Sequence, residues 1–251
     1  MADRTRARSS VRTAVVWKVL RAALDERVAA GGGAELDVLD VGGGTGGFAV
    51  PLAERGHRVT VLEPSPDALA SLDRRVAEAG VGDRVTAVQG DATNIRDVAG
   101  AKGVDAILCH GVLEYVDEPA EVAADLAAAL RPGGLASLLV ANRNAVVLSR
   151  AVAGHIAEAR HAFDDQHGRW GGRDPLPRRF APAEVAALVG AAGLEIMSTH
   201  GVRVFSDLVP SAVVEGEAAV FEALVELEAA VSEHPAFLAV ANRVHVLAVR
   251  P

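Results

Sequence analysis

Residues 38–47 read Val-Leu-Asp-Val-Gly-Gly-Gly-Thr-Gly-Gly. An apolar strand that runs into a glycine loop and then a helix brings bare backbone close to a nucleotide-like ligand, because glycine has no Cβ to block the approach. Two spacings overlap here. Gly42, Gly44 and Gly47 satisfy G-x-G-x-x-G, the loop that cradles a dinucleotide. Asp40, Gly42, Gly44 and Gly46 satisfy D-x-G-x-G-x-G, with Gly43 inside the loop. Further groups follow in order. Glu63 lies 16 residues after Gly47, at the end of the next apolar stretch. A carboxylate there accepts ribose hydroxyls or, alternatively, caps a helix. Gly90-Asp91-Ala92-Thr93 follows a third such stretch, where Asp91 belongs either to a ligand site or to an ordinary turn. In Cys109-His110-Gly111-Val112-Leu113-Glu114-Tyr115-Val116-Asp117-Glu118-Pro119, His110 ends a fourth. Its ring either touches the ligand or is a hydrogen-bonded core histidine.

These groups converge only if their strands lie side by side. The apolar pattern predicts strands over 36–41, 58–63, 85–89, 104–109 and 135–140. A helix over about 10–30 precedes them and stops at Gly31-Gly32-Gly33. A second helix follows the glycine loop and ends near Gly56; a third starts with Ser65 as cap and Pro66 at its first position, and ends at Gly80. Helix 119–131 is expected to stop at Pro132-Gly133-Gly134. Apolar strands alternating with helices mean a parallel sheet covered on both faces. Residues 142–180 break the rhythm without a clear strand and read as a substrate-side insertion in one domain spanning 1–251. Helix 182–192, a strand over 194–204, an acidic helix over 214–233 and a strand Arg243–Val249 complete the chain.

Half of the 251 residues are apolar but only 4% are aromatic, so the core is built of Ala, Val and Leu. The net charge of −8 is unevenly spread: residues 1–21 carry Arg4, Arg6, Arg8, Arg12, Lys18 and Arg21 against Asp3, a net +5, which leaves −13 on the remainder. A basic arm on an acidic body fits a polyanionic partner or a solvated helix face. Cys109 is the only cysteine, which excludes an intrachain disulfide, and no Cys/His spacing suggests a metal. No apolar run reaches the ~20 residues of a membrane span. The run from Val11 to Leu24 is broken by Arg12, Lys18 and Arg21, which suits an amphipathic helix better than a targeting segment. A cytoplasmic protein with no membrane or metal partner is expected.

With Asp40-Val41-Gly42, Glu63, Asp91, the 109–119 block and Leu130-Arg131-Pro132-Gly133-Gly134-Leu135 in that order, the chain resembles the class I S-adenosylmethionine-dependent methyltransferases over almost all its length. Within them it is similar to the tRNA 5-carboxymethoxyuridine methyltransferases, through Val11–Trp17, Leu113–Val116, Val152-Ala153-Gly154, Gly201–Phe205, Phe221–Glu228 and Val244-His245-Val246. The resemblance implies a Rossmann-like α/β fold: a seven-stranded, mostly parallel sheet with a C-terminal antiparallel hairpin and helices on both faces. It implies S-adenosyl-L-methionine as cofactor, with contacts from Arg12, Gly42, Gly43, Glu63, Ala92, Thr93 and His110, and with Asp91 toward the adenine amino group. Residues 1–30 then form a helical lid in which Arg12 meets the methionine carboxylate. The implied reaction is methyl esterification of the oxyacetic carboxylate on a wobble uridine of tRNA. Where family members carry a run of lysines in the insertion, this chain has Gly168-Arg169-Trp170-Gly171-Gly172-Arg173, then Arg178 and Arg179. Fewer charges mean weaker phosphate contact.

A carboxylate acceptor is already ionised at neutral pH and needs no general base. The protein has to hold it in line and exclude water. Candidate holders are Arg203, Arg143 and Asn142, the arginines through their planar forks. Two other readings stand beside this one. The first is a methyltransferase acting on a small-molecule carboxylate or hydroxyl, favoured by the acidic body. The second is an NAD-binding oxidoreductase or a non-catalytic nucleotide-binding module built on G-x-G-x-x-G.

Overall fold

The computed structural model describes residues 2–31, 35–210 and 218–251, with the side chains of 2–12 and of 218 outside that description. Strands β1 (Asp37–Val41), β2 (Arg58–Glu63), β3 (Val85–Gln89), β4 (Val104–His110), β5 (Leu130–Ala141), β6 (Glu195–Val202) and β7 (Arg243–Val249) form one seven-stranded sheet. Their order is β3-β2-β1-β4-β5-β7-β6. β1 runs parallel to β2 and β4, and β2 runs parallel to β3, with Asp40 opposite both Val61 and Leu108. The last strand reverses. Gly133 N–H donates to Arg250 O (2.7 Å) and Arg250 N–H to Gly134 O (2.9 Å), while Asn142 N–H donates to Asn242 O (3.0 Å). As one chain segment advances the other retreats, which is the antiparallel pattern. A sheet of mostly parallel strands closed by an antiparallel C-terminal hairpin is the arrangement expected from the sequence.

Helices α1 (Ala2–Gly31), α2 (Ala49–Glu54), α3 (Pro66–Ala79), α4 (Ile95–Ala99) and α5 (Pro119–Ala129) are followed by α6 (Arg143–Val152), α7 (Ile156–Asp164), α8 (Pro182–Ala191), α9 (Ala218–Val231) and α10 (Pro235–Leu238). Local signals set several boundaries. Ser65 Oγ accepts from Ala68 N–H, Pro66 opens α3, and Gly80 ends it in the left-handed region with φ +69°. β1, β2 and β4 read as near-continuous apolar runs because both faces are covered: Val38, Leu39, Val41, Val59, Val61, Leu62, Ile107 and Leu108 are all buried. β3, at the edge of the sheet, is largely exposed.

Three expectations need adjustment. α1 starts at Ala2 and is longer than the pattern suggested; its expected stop at Gly32-Gly33 lies outside the described residues, as do positions 214–217 of the acidic helix. Pro132-Gly133-Gly134 does not end a helix but lies inside β5, which starts at Leu130. Its main-chain groups are satisfied by Arg250, and proline has no N–H to lose. Segment 142–180 contains α6 and α7, and its ends meet in a parallel bridge between Asn142 and Phe180.

The chain divides into two compact units. One holds residues 22–138, 186–197 and 247–251. Its lower end is tied by Arg131, which pairs with both Asp37 and Asp105, and by Arg27, which also reaches Asp105. The other holds residues 1–21, 139–185 and 198–246. In it Arg150 lies 3.8 Å over the Trp170 ring and pairs with Glu158. Buried His200 and His245 stack, with their Nδ1 atoms 3.3 Å apart. Among the described residues no helix is long and apolar enough to cross a membrane.

Candidate active site

β1 ends in the glycine loop, and the loop rests on its own strand. A Cβ placed on Gly43 would lie 2.6 Å from Asp40 Oδ2 and 2.9 Å from Val61 Cγ1. Asp40 is buried beneath it, and Oδ2 has no hydrogen-bond partner among the described residues. Burial, and then the neighbouring Glu63 carboxylate, push the Asp40 carboxyl up to about 7. The end of β2 braces the same loop. Glu63 Oε2 accepts from Gly44 N–H and Oε1 from Ser65 N–H, each at 3.0 Å. A carboxylate offers about four acceptor sites, so lone pairs remain for a ligand.

A cavity of about 820 Å³ opens at the carboxyl ends of β1, β2, β3 and β4, where open α/β sheets bind their ligands. Gly42, Glu63, Asp91, Ala92 and Thr93 line it, so five of the expected cofactor residues are brought together. Asp91 caps the 3-10 turn Ala92–Asn94: its Oδ1 accepts from Thr93 N–H (2.9 Å) and Thr93 Oγ1–H (2.6 Å), which holds the carboxyl below the usual range. Asp40, Gly43 and Gly44 are not on the wall; Asp40 lies buried beneath Gly43, and Gly44 is bonded to Glu63. His110, at the end of β4, sits 2.8 Å from Ser137 Oγ through Nε2 and edge-on against Phe48, and is also absent from the wall. Cys109 beside it is buried, and burial with the Glu114 and Asp40 carboxylates pushes its thiol far up, so it is no nucleophile.

The wall holds residues the sequence reading assigned no role. Tyr115, the only tyrosine, is 60% exposed and faces the cavity with Val112 and Val116. Asp117, Glu118, Glu121 and Asp125 join Glu63 and Asp91, giving, among the described residues, six lining carboxylates and no basic lining residue. The signal was available: Glu121 and Asp125 share one helix face at i, i+4, and Asp117 and Glu118 precede that helix.

The two glycine spacings differ in their last member, and the packing separates them. Gly46 has φ +79°, and a Cβ there would lie 2.4 Å from Leu72 Cδ1 of α3. A Cβ on Gly47 would meet nothing within 4 Å. The glycine that the fold requires is the one of D-x-G-x-G-x-G. Residues 38–134 match a methyltransferase domain family. Over 246 residues the chain is 32% identical to a tRNA 5-carboxymethoxyuridine methyltransferase of Escherichia coli, covering 97% of this chain and 90% of that protein. The chain belongs to the class I S-adenosylmethionine-dependent methyltransferases. A ubiquinone biosynthesis O-methyltransferase of Burkholderia thailandensis is 29% identical over 167 residues, 66% of this chain and 67% of its own. Among solved structures, an S-adenosylmethionine-dependent methyltransferase from Mesorhizobium loti aligns with a TM-score of 0.64 at 19% identity, over 96% of this chain and 100% of the other. Magnesium protoporphyrin IX methyltransferase from Synechocystis, with S-adenosylhomocysteine bound, aligns at 0.58 and 17% identity, over 97% and 83%. At such identities the likeness speaks for the fold alone.

The cofactor of this methyltransferase is S-adenosylmethionine, and the oxidoreductase reading falls away. The pocket suits the group: bare backbone at Gly42, acceptor capacity on Glu63 and Asp91, and a volume on the scale of a nucleoside-sized ligand. No group of three or more His, Cys, Asp or Glu among the described residues is arranged to hold a metal ion. The remaining candidates lie in the other unit. Arg12 is on α1, and its side chain lies outside the described residues. Asn142 is buried, its amide donating to Leu238 O, Ala239 O and Ala241 O and its Oδ1 accepting from Asn144 N–H. Arg143 donates to Gln166 O (2.8 Å) and pairs with Glu184 (3.1 Å). Both therefore fasten their own unit. Arg203 follows β6, is partly exposed, and pairs with Asp207.

Proposed function

We propose that the methyltransferase esterifies the oxyacetic carboxylate of 5-carboxymethoxyuridine in tRNA. The observation that carries this reading is coverage. Likeness to the tRNA-directed relative runs through 97% of the chain, against 66% for the ubiquinone relative. When bound, S-adenosylmethionine supplies a methyl group activated on sulfonium sulfur. The chain's own part is positioning. Glu63 accepts ribose hydroxyls through the lone pairs that Gly44 and Ser65 leave over, Asp91 faces the adenine amino group, and Gly42, Ala92 and Thr93 supply backbone against the nucleoside; the family resemblance adds Gly43. The family resemblance supports His110 and Arg12 as further cofactor contacts. Tyr115 and the valines beside it shed water from the cavity. The acceptor carboxylate is already ionised at neutral pH and needs no base. Holding reactants in line can supply roughly 7–11 kcal/mol of a barrier.

On this reading Arg203 grips the acceptor carboxylate. The test is methyl transfer from labelled cofactor to an anticodon stem-loop with and without the oxyacetyl group, by wild type, Arg203→Ala and Arg203→Lys. Transfer should require the oxyacetyl group and fall at least a hundredfold in Arg203→Ala, with poor rescue by lysine because a point charge does not reproduce a fork. Wild-type turnover in Arg203→Ala removes the role. The six carboxylates of the cavity wall favour a second reading, a small acceptor without phosphates. Transfer to small carboxylates but not to the stem-loop would select it.

A further inference from the structure

The loop after β6 holds an arginine in a conformation that L-residues disfavour. Arg203 has φ +62°, the one positive value at a non-glycine position among the described residues. Glu228 of α9 explains how the loop keeps it. Its carboxylate is 1% exposed and accepts three successive backbone N–H groups, from Val204 (2.9 Å), Phe205 (2.9 Å) and Ser206 (2.8 Å). Consecutive N–H groups converging on one anion form a nest, here filled by the chain's own side chain. The guanidinium that this loop presents is half used. Nη2 meets Asp207 Oδ2 at 2.6 Å, with both side chains 22% exposed. Nε lies on the same edge of the guanidinium, and it is buried with no hydrogen-bond partner among the described residues. Ser206 Oγ, three residues along the loop, is also buried and has no partner among the described residues. Buried polar atoms without partners are uncommon and call for an explanation.

We propose that Asp207 is an internal stand-in for the acceptor carboxylate: it occupies the Nε–Nη2 edge of Arg203 until an incoming carboxylate that can bind both nitrogens displaces it. This rests on the reading of Arg203 given above. A two-pronged carboxylate satisfies Nε as well as Nη2, which the Asp207 contact leaves undone. A carboxylate that reaches only one nitrogen gains nothing over Asp207 and does not open the pair. The device therefore selects acceptors by the orientation of their carboxylate, and it lowers affinity for carboxylates in general. Asp207 is a positioning and specificity residue acting through Arg203, and Glu228 fixes the loop on which the exchange takes place.

The test is Asp207→Asn in the full chain, with the double variant Asp207→Asn/Arg203→Ala as control. The acceptors are the oxyacetyl-uridine stem-loop and, as a competitor sharing the –O–CH2–COO⁻ group, methoxyacetate. In Asp207→Asn the KM for the stem-loop and the inhibition constant for methoxyacetate should both fall about two- to fivefold, the range a partly exposed ion pair is worth. The kcat and the S-adenosylhomocysteine affinity should stay within twofold. The gain should vanish in the Arg203→Ala background. Unchanged or weaker methoxyacetate binding in Asp207→Asn, or an equal gain without Arg203, overturns the proposal. If wild type leaves the stem-loop unmethylated while saturation-transfer NMR shows tighter methoxyacetate binding in Asp207→Asn, the RNA reading fails and the stand-in survives.

Discussion

Glu63 does two things with one carboxylate. It ties the glycine loop to the start of α3, and it keeps acceptor capacity turned to the cavity. Glu63→Ala should weaken S-adenosylhomocysteine binding by roughly 1.5–3 kcal/mol, the range for a hydrogen bond to a charged group. Calorimetric titration checks this, and an unchanged constant would take the ribose role away from Glu63. Asp40 works by its position under the loop, and its ionisation carries a cost. Burial and Glu63 raise its carboxyl to about 7, above the ordinary value of 3.8. Below about pH 4 folded and unfolded chains both hold the proton. Between there and about pH 7 the folded chain keeps a proton that the unfolded chain has lost, so stability drains away as pH rises through that window. Asparagine never ionises. Asp40→Asn should therefore exceed wild type in stability at pH 8 by on the order of 2–4 kcal/mol and match it near pH 4. Denaturant unfolding at the two pH values decides, and an equal gap at both would sink the argument.

At the scale of elements, the join of β1 to α2 requires Gly46 but leaves the neighbouring Gly47 dispensable. Gly46→Ala meets a left-handed backbone and the Leu72 side chain together. It should cost about 2–4 kcal/mol, from conformational strain and overpacking. Gly47→Ala meets open space and should stay within about 0.5 kcal/mol of wild type. Thermal unfolding of the two variants side by side tests this; equal losses would restore the dinucleotide spacing as the structural one. Residues 132–134 of β5 show a related dependence on distant partners. Proline and two glycines suit a helix stop by their local preferences, yet they belong to β5 because Arg250, far along the chain, supplies the main-chain partners.

For the whole molecule, charge and chain-length likeness point to the same experiment. The net +5 of residues 1–21 stands on a chain that is otherwise acidic. α1 is anchored by buried Val15, Val16, Leu20 and Leu24, all beyond residue 12. Deleting residues 1–12 should leave a cooperative unfolding transition intact and reduce cofactor affinity at least tenfold, if the stretch acts as a lid through Arg12. Circular dichroism and cofactor titration of the truncated protein measure the two separately, and normal binding would remove the lid.

Apolar alternation, the Ser65–Pro66 start and Gly80 end of α3, and the order of the acidic positions were legible in the residues alone, because each depends on neighbours a few positions away. The family was legible too, since its motifs sit at strand ends that the pattern itself locates. Other features needed the tertiary structure. The choice between Gly46 and Gly47 turns on Leu72, a residue of another helix. The fastening of Asn142 depends on carbonyls of Leu238, Ala239 and Ala241, and the hold on residues 204–206 depends on Glu228. Sequence order records which groups exist; which of them are already spent on one another is set by contacts between distant segments, and those form only when the chain closes on itself.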